Sequence, residues 1–119
     1  MLEASCHCGA VRLVVQEAPE FLVDCNCSIC RRNAALWAFY DLSTVQQSGH
    51  PENTVAYVWG ERSIRTLHCK TCGCTTHWEA LDSARSTRVG LNARNFEPAV
   101  LQGIRVRRFD GADTWAYID

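Results

Sequence analysis

The sequence has 119 residues, a formal net charge of −1 and a pI near 6.4. This is the length of one ordinary domain and it contains no linker or low-complexity tract, so we expect a single domain over residues 1–119. The chain lacks the basic surplus that marks nucleic-acid-binding proteins, and we therefore expect no nucleic-acid partner. Eight cysteines are too small a share for a secreted disulfide scaffold, which typically has roughly 8–10%.

The opening residues, MLEASCHCGA, contain neither a basic leader nor an apolar signal segment. No later apolar run approaches the roughly 18 residues that span a bilayer. We therefore expect a soluble, cytoplasmic protein with no membrane partner. Thiols stay reduced in that compartment, so closely spaced cysteines are expected to bind metal rather than to form disulfides.

Short stretches rich in β-branched and aromatic residues alternate with turn-formers along the chain. This pattern predicts a mainly β domain of short antiparallel sheets. Short helical turns are predicted near Ser28 and over residues 93–101, neither with a long apolar stripe. The chain has no βαβ alternation and no glycine-rich phosphate loop, which argues against dinucleotide and thioredoxin-like folds. The predicted strands cover residues 10–16, 21–24, 35–42, 54–60, 63–69, 75–80, 87–92 and 103–109.

Two cysteine pairs, in CHCG and CKTCG, each end in a glycine that permits a tight turn. Such a turn directs backbone N–H groups at thiolate sulfurs. Four cysteines placed tetrahedrally, roughly 2.3 Å from zinc, form a closed structural site that stabilises the fold. We predict that Cys6, Cys8, Cys69 and Cys72 form such a site and join an N-terminal hairpin to a central one. The spacing alone leaves open which cysteines share an ion.

A third cysteine group, CNCSICRR at residues 25–32, has no closing glycine. Cys25, Cys27 and Cys30 provide three ligands and leave the fourth corner of a tetrahedron open, as in catalytic zinc sites. All-thiolate ligation favours exchange with a soft external ligand such as a thiol. Arg31 and Arg32 follow directly, and we expect them to attract carboxylates of the molecule that carries this thiol. The sequence therefore predicts two Zn²⁺ ions, one structural and one open.

The segments SCHCGAVRL, CNCSICRR, HCKTCGCTTHW and GLNARN occur in the order, and nearly the spacing, of the glutathione-dependent formaldehyde-activating enzyme family, which also includes centromere-protein-V-like proteins. The chain resembles this family from about Ser5 to Arg94, and the segment RRFDGADTW shows a weaker resemblance. The resemblance implies a β-tent zinc-binding fold with one structural site and a second, thiol-accepting site at the three cysteines of CNCSIC. It also implies carbon–sulfur lyase chemistry that joins glutathione and formaldehyde to S-hydroxymethylglutathione, an activity of a minority of the family.

The leading hypothesis is a zinc-dependent, carbon–sulfur lyase-like enzyme whose partner is a small thiol or thiol adduct, with glutathione as a co-substrate. Asn92 and Arg94 join the two arginines above as candidates for holding that ligand. The contrasting hypothesis is a non-catalytic zinc module for a protein or chromatin partner, which is favoured if a fourth protein ligand, Cys74 or a histidine, closes the second site. A third hypothesis is a redox switch, in which Cys27 and Cys30 form a disulfide under mild oxidation.

His7 and His68 lie between or beside the cysteine ligands and are interpreted as bystanders. His77, in THWE, resembles the H-x-E of zinc deaminases, but the Pro-Cys-x-x-Cys that must follow is missing. On a strand, His77 shares a face with Thr75 and Glu79, so we expect it to be solvated or hydrogen-bonded rather than an acid–base group. His50 is assigned to a turn.

Overall fold

The computed structural model describes all 119 residues and confirms a mainly β fold with short helical turns. None of its helices has the length and apolar character needed to cross a bilayer. The strands are β1 (Leu2–Ser5), β2 (Arg12–Val15), β3 (Leu22–Cys25), β4 (Trp37–Asp41), β5 (Gln46–Ser48), β6 (Thr54–Tyr57), β7 (Ile64–Cys69), β8 (Thr75–Ala80), β9 (Arg88–Asn92) and β10 (Val106–Phe109), and the helix α1 covers Ser28–Asn33.

The strands form two sheets. In the smaller, antiparallel sheet β2 lies between β1 and β5, and the larger sheet has the order β10-β3-β4-β9-β8-β7-β6. Its strand pairs are antiparallel except for β10 and β3, which run parallel with Val106 opposite Leu22 and Phe109 opposite Cys25. The other pairs follow the predicted antiparallel arrangement, and the parallel pair at this edge is an addition that the sequence did not predict. Most of the chain separates these two strands, and a long connection permits the parallel pairing that a hairpin forbids.

All eight predicted strands are present, most of them with narrower bounds. The prediction lacks β1 and β5, because their sequences LEAS and QQS contain no β-branched or aromatic residue. Both form by pairing with the edges of β2. The helical segment predicted over 93–101 consists of two 3-10 turns, Ala93–Asn95 and Pro98–Leu101. Pro98 accounts for the interruption, since it lacks an N–H group and disfavours helical geometry in the residue before it.

One apolar core joins the two sheets. Strand β9 is the fourth of the seven strands in the larger sheet, and four of its five residues are buried. Each cysteine group begins at the end of a strand: Cys6 follows β1, Cys25 ends β3 and Cys69 ends β7. The core cluster combines Ala4, Leu13 and Val15 of the smaller sheet with Leu22, Ala38, Val89 and Leu91 of the larger sheet, and with Val45, Ala93 and Phe96.

Candidate metal centres

The four cysteines of the first predicted site come together. The sulfur atoms of Cys6, Cys8, Cys69 and Cys72 all lie within 4.8 Å of one another. The Cys6–Cys8 and Cys8–Cys69 sulfur pairs are 3.7 and 3.6 Å apart. Zinc held tetrahedrally at roughly 2.3 Å places sulfurs about 3.8 Å apart, whereas a disulfide places them at about 2.05 Å. All eight cysteines are free thiols, and these four have the spacing of a tetrathiolate zinc site.

Backbone N–H groups point at the sulfurs of this first site. Val11 donates to Cys6 Sγ at 3.3 Å, and Thr71 donates to Cys69 Sγ at 3.4 Å. Such donors favour the thiolate form that metal binding requires. Since Cys6 follows a strand of the smaller sheet and Cys69 ends a strand of the larger one, a metal held here would connect the two sheets.

Cys74 lies beside the first site and not at the second. It packs against the buried cluster of Cys6, Val11 and Cys69. The backbone N–H of Cys74 donates to Cys72 and is the largest cause that lowers the pKa of the Cys72 thiol to about 5. The possibility that Cys74 completes the second site is therefore not realised in this fold.

The three cysteines of the second predicted site also converge. The sulfurs of Cys25, Cys27 and Cys30 lie within 4.8 Å of one another, and no further cysteine, histidine or carboxylate joins them. Cys27 caps α1 by accepting the Cys30 N–H at 3.5 Å, and Cys30 Sγ accepts the indole N–H of Trp37 at 3.2 Å. The Cys30 thiol, followed by backbone N–H groups of Cys27 and Gly111, lowers the pKa of Cys25 to about 6. The same interaction with Cys25, together with burial, raises the pKa of Cys30, so the metal-free cluster favours a thiolate at Cys25.

The turn that follows β10 covers one side of this second site. Gly111 approaches so closely that a β-carbon at this position would lie 2.7 Å from Cys25 Sγ. Asn26 holds the turn in place, because its amide donates to Asp110 Oδ1 at 3.0 Å and accepts the Ala112 N–H at 3.0 Å. Gly111 is not among the predicted site residues, although it lies in RRFDGADTW, the segment that weakly resembles the family.

Three predicted ligand-binding arginines surround α1. Arg31 and Arg32 are exposed in its last turn, where Arg32 Nη1 donates to the Ser28 carbonyl at 2.9 Å. Arg94 reaches the same helix from the end of β9, and its Nε donates to the Ala34 carbonyl at 2.6 Å. Positive charge is therefore gathered at the C-terminal end of the helix that carries Cys30. The binding role of these side chains stays a prediction.

Asn92, the fourth predicted ligand-binding residue, is buried at the end of β9. Its amide Nδ2 donates to the Thr75 carbonyl at 2.9 Å, and its Oδ1 accepts the Arg94 N–H at 3.2 Å. It lies directly opposite Trp37 on β4. The amide nitrogen thus connects β9 to β8, the amide oxygen caps the 3-10 turn Ala93–Asn95, and a contact to ligand stays a prediction.

A further cluster, which the sequence analysis did not assemble, contains His50, His77 and Glu79. The prediction for His77 is confirmed in part: it is fully buried rather than solvated, and its Nδ1 is hydrogen-bonded to the Thr76 hydroxyl at 2.8 Å. Burial lowers the pKa of His77. The pKa of Glu79 is lowered to about 2 by His77, then by His50. The H-x-E spacing indicates in the sequence that His77 and Glu79 lie close together, but only the fold places His50 beside them.

Comparison with known proteins identifies the family of this chain. A family model described as "Glutathione-dependent formaldehyde-activating enzyme" matches residues 1–103. A Halomonas elongata protein named "Putative glutathione-dependent formaldehyde-activating enzyme" is 57% identical over 35 residues, which span 29% of this chain and only 22% of that protein. The crystal structure of a Rhodobacter sphaeroides protein superposes with a TM-score of 0.70 and 31% identity, covering 87% of this chain and 98% of that one. Because the family model covers most of the sequence, this chain belongs to the glutathione-dependent formaldehyde-activating enzyme family.

Proposed function

We propose that Cys25, Cys27 and Cys30 bind zinc and that the protein uses this site to make or break a carbon–sulfur bond between a small thiol, such as glutathione, and an aldehyde, such as formaldehyde. One observation carries the proposal: three thiols converge and no fourth protein donor joins them. Membership of the family supports the choice of glutathione and formaldehyde. The other four-cysteine cluster is assigned the structural role.

The donor set of the second site suits zinc. Three sulfurs meet at a spacing that one ion can bridge, and each of them accepts an N–H group from Trp37, Cys30 or Gly111. Zinc bound by three protein ligands supplies a Lewis acid with one coordination position left for an external group. Cys74 lies elsewhere, which disfavours a closed, non-catalytic second site.

The reaction is an addition and its reverse. The sulfur of the external thiol attacks the carbonyl carbon of the aldehyde, so that a carbon–sulfur bond forms while the carbonyl π pair moves to oxygen. That oxygen takes up a proton equivalent to the one that the thiol has lost. Cleavage of the adduct reverses each step. The chain's own contribution is to orient the thiol, and Arg31, Arg32 and Arg94 provide the cations that attract its carboxylates.

A groove beside α1 offers space for the rest of the thiol ligand. It has a volume of about 290 Å³, and Ile29 and Asn33 of α1 form one of its walls. The opposite wall comes from β6, β7 and the start of β8 and includes Tyr57 and Thr66. Small-molecule sites start at roughly 300 Å³. Because α1 carries both this wall and Cys30, we propose that a peptide-like thiol lies along the helix with its sulfur toward the second site.

Calorimetric titration of the zinc-loaded protein with glutathione tests the proposal. We expect binding to the wild type and to Cys74→Ser, which changes a thiol outside the second site, and loss of binding in Cys27→Ser. Exchange NMR with ¹³C-formaldehyde and glutathione should show faster formation and loss of the adduct with the wild type than with Cys27→Ser. A protein that carries both zinc ions but binds no thiol would refute the enzymatic proposal and favour the non-catalytic zinc module.

A further inference from the structure

The cluster of His50, His77 and Glu79 lies apart from both cysteine sites. His77 and Glu79 are on one face of β8, and His50 lies in the connection between β5 and β6. Glu79 Oε1 is 2.5 Å from His50 Nε2 and 3.8 Å from His77 Nε2. The His77 side chain is 0% exposed, and its Nε2 has no hydrogen-bond partner. An orphaned, fully buried ring nitrogen therefore faces a carboxylate.

Hydrogen bonds on the far side of each ring determine which nitrogen carries the proton. His50 Nδ1 contacts the Thr54 hydroxyl at 2.7 Å, and that hydroxyl donates to the Pro51 carbonyl at 3.2 Å. A hydroxyl has only one hydrogen and a carbonyl can only accept. While it donates to Pro51, the Thr54 oxygen accepts from His50 Nδ1–H, and this tautomer leaves His50 Nε2 free to bind a cation.

The same logic applies to the second ring. His77 Nδ1 contacts the Thr76 hydroxyl at 2.8 Å, and this hydroxyl donates to the Leu67 carbonyl at 3.3 Å. Thr76 therefore accepts from His77 Nδ1–H, and the Nε2 of His77 presents a lone pair. In the neutral rings, three lone-pair atoms converge: two imidazole nitrogens and one carboxylate oxygen. Because Glu79 Oε1 lies 2.5 Å from His50 Nε2, a cation must lie between these atoms, and that cation is either a proton or a metal ion.

We propose that His50, His77 and Glu79 form a third metal site, which binds a divalent transition-metal ion through His50 Nε2, His77 Nε2 and a Glu79 carboxylate oxygen. Two imidazoles and one carboxylate are a donor set that zinc and its first-row neighbours accept. Both rings already make the outer Nδ1 hydrogen bond that typically orients a metal-binding histidine. The three ligand atoms lie within 4.8 Å of one another.

The partly exposed side chains of His50 and Glu79 provide an entry path for the ion. The side chains of His50 and Glu79 are 8% and 17% exposed, whereas His77 forms the buried floor. Ligands about 2.1 Å from zinc are separated by roughly 3.4 Å in a tetrahedral arrangement. Binding therefore requires His50 and Glu79 to separate by about 1 Å and His77 to approach slightly. The bound ion would tie the β5–β6 connection to β8, and thus the smaller sheet to the larger one.

A proton shared between His50 and Glu79 is the competing explanation of their short contact. It satisfies those two groups but leaves His77 Nε2 without a partner. A metal ion satisfies all three. The two explanations differ in whether the cluster takes up a cation at neutral pH, and a direct binding experiment separates them.

The experiment adds Co²⁺ to protein whose cysteine sites are already filled with zinc. Cobalt binds more weakly than zinc to a given set of ligands, so it is expected to leave the cysteine-bound zinc in place. We expect the wild type to bind one Co²⁺ per chain, with the weak visible bands of nitrogen and oxygen ligands and without thiolate charge-transfer absorption. Added Co²⁺ should also raise the melting temperature.

The variants make the site assignment specific. His50→Gln changes a residue of a connection rather than of the core, and Glu79→Gln is a second, isosteric change. Each should weaken Co²⁺ binding by about tenfold or more and abolish the rise in melting temperature. His68→Gln, on the neighbouring strand but outside the cluster, is the matched control and should behave as the wild type.

Two outcomes would overturn the inference: equal Co²⁺ binding by the wild type and His50→Gln, or an absorption spectrum of thiolate-bound cobalt. Repeating the titration in Cys27→Ser keeps the result independent of the proposed function. That variant lacks a second-site ligand but retains the histidine cluster, so it should still take up Co²⁺ at the third site whether or not the protein acts on thiols.

Discussion

At the scale of single residues, the second site depends on donors aimed at its sulfurs. The Trp37 indole is buried and donates to Cys30 Sγ at 3.2 Å. Cys25 and burial raise the pKa of Cys30, and the Trp37 contact opposes that rise. Trp37 is therefore part of the core and also a hydrogen-bond donor to a cysteine of the second cluster.

Replacing this donor should weaken zinc binding at the second site. We expect Trp37→Phe to retain the fold, because phenylalanine is also an apolar ring and is smaller than tryptophan. The variant loses the N–H···S contact, and we expect its zinc affinity to fall by about 10–100-fold. Competition with a chromophoric chelator measures the change. Trp59→Phe, at an exposed position, is the control. Equal zinc affinity in both variants would contradict the supporting role of Trp37.

At the scale of secondary structure elements, Asp41 ties two strands together. It ends β4 and caps the 3-10 turn Leu42–Thr44, since its Oδ1 accepts the Ser43 N–H at 2.9 Å and the Ser43 hydroxyl at 2.6 Å. The Thr87 hydroxyl, just before β9, donates to its Oδ2 at 2.7 Å. These donors, Ser43 first, lower the pKa of Asp41 from 3.8 to about 2.

This lowered pKa predicts the direction of a pH effect. Ionised Asp41 stabilises the folded chain fully above pH 3.8, and this contribution is lost as the pH falls toward about 2. Thr87→Val removes one donor, so it should raise the midpoint from about 2 toward 3.8 and reduce the stability gained above that pH. Carboxyl ¹³C NMR measures the midpoint, and urea unfolding at two pH values measures the stability.

Asp110 serves as the internal control in the same titration. Its pKa is also lowered, by Asn26 and then by Thr114, and neither residue touches Thr87. Its midpoint should therefore be the same in the wild type and in Thr87→Val. An unchanged Asp41 midpoint in the variant would show that the Thr87 hydroxyl does not contribute to the shift.

At the scale of the whole molecule, the two cysteine sites differ in what they connect. The first site joins the two sheets through the buried Cys6 and Cys69, while its Cys8 is exposed. The second site lies within the larger sheet, between the end of β3 and α1, and its Cys27 and Cys30 are partly exposed. Loss of metal from the two sites should therefore have different consequences for the fold.

We predict that chelation proceeds in two steps. A mild chelator should remove the second-site zinc first and leave the circular dichroism spectrum unchanged. Removal of the first-site zinc should unfold the protein, because a structural zinc contributes about 10–16 kcal/mol while a domain is stable by only about 5–15 kcal/mol. Zinc per chain by mass spectrometry, recorded beside the spectrum, follows both steps. Simultaneous loss of both ions would contradict the prediction.

Single-residue changes extend this test. Cys69→Ser should prevent folding, whereas Cys27→Ser should fold and retain the first-site zinc. The second variant is the matched control, since both replace a cysteine by the same residue. A folded Cys69→Ser protein without zinc at the first site would show that the core holds the two sheets together unaided.

Local patterns were sufficient for much of this protein. Alternating β-branched and aromatic residues located eight strands, since strand formation depends on a few neighbouring positions. Cysteines two or three residues apart predicted the local members of each cluster, because such spacing places thiols near one point whatever the distant fold, but it left open that the Cys6/Cys8 and Cys69/Cys72 pairs share one site. Cys25, Cys27 and Cys30 are the clearest case: one strand end and one helix cap bring them together.

Only the tertiary structure decided how distant segments meet. Cys8 and Cys69 are 61 positions apart, yet their sulfurs are 3.6 Å apart. Cys74 lies at the first site rather than the second, and β10 pairs in parallel with β3. Such contacts depend on strand register, and a shift by one residue turns every side chain to the opposite face. The register shift between Leu67 and His68 on β7 is of this kind.

The same reason explains why the histidine cluster remained hidden. His77 and Glu79 are two residues apart and share a strand face, which the sequence already indicates. Their partner His50 is separated from them by two strands, and its position depends on how the β5–β6 connection packs on β8. The sequence by itself determined the local ligand pairs, and the packing of the two sheets determined which pairs acquire a third member.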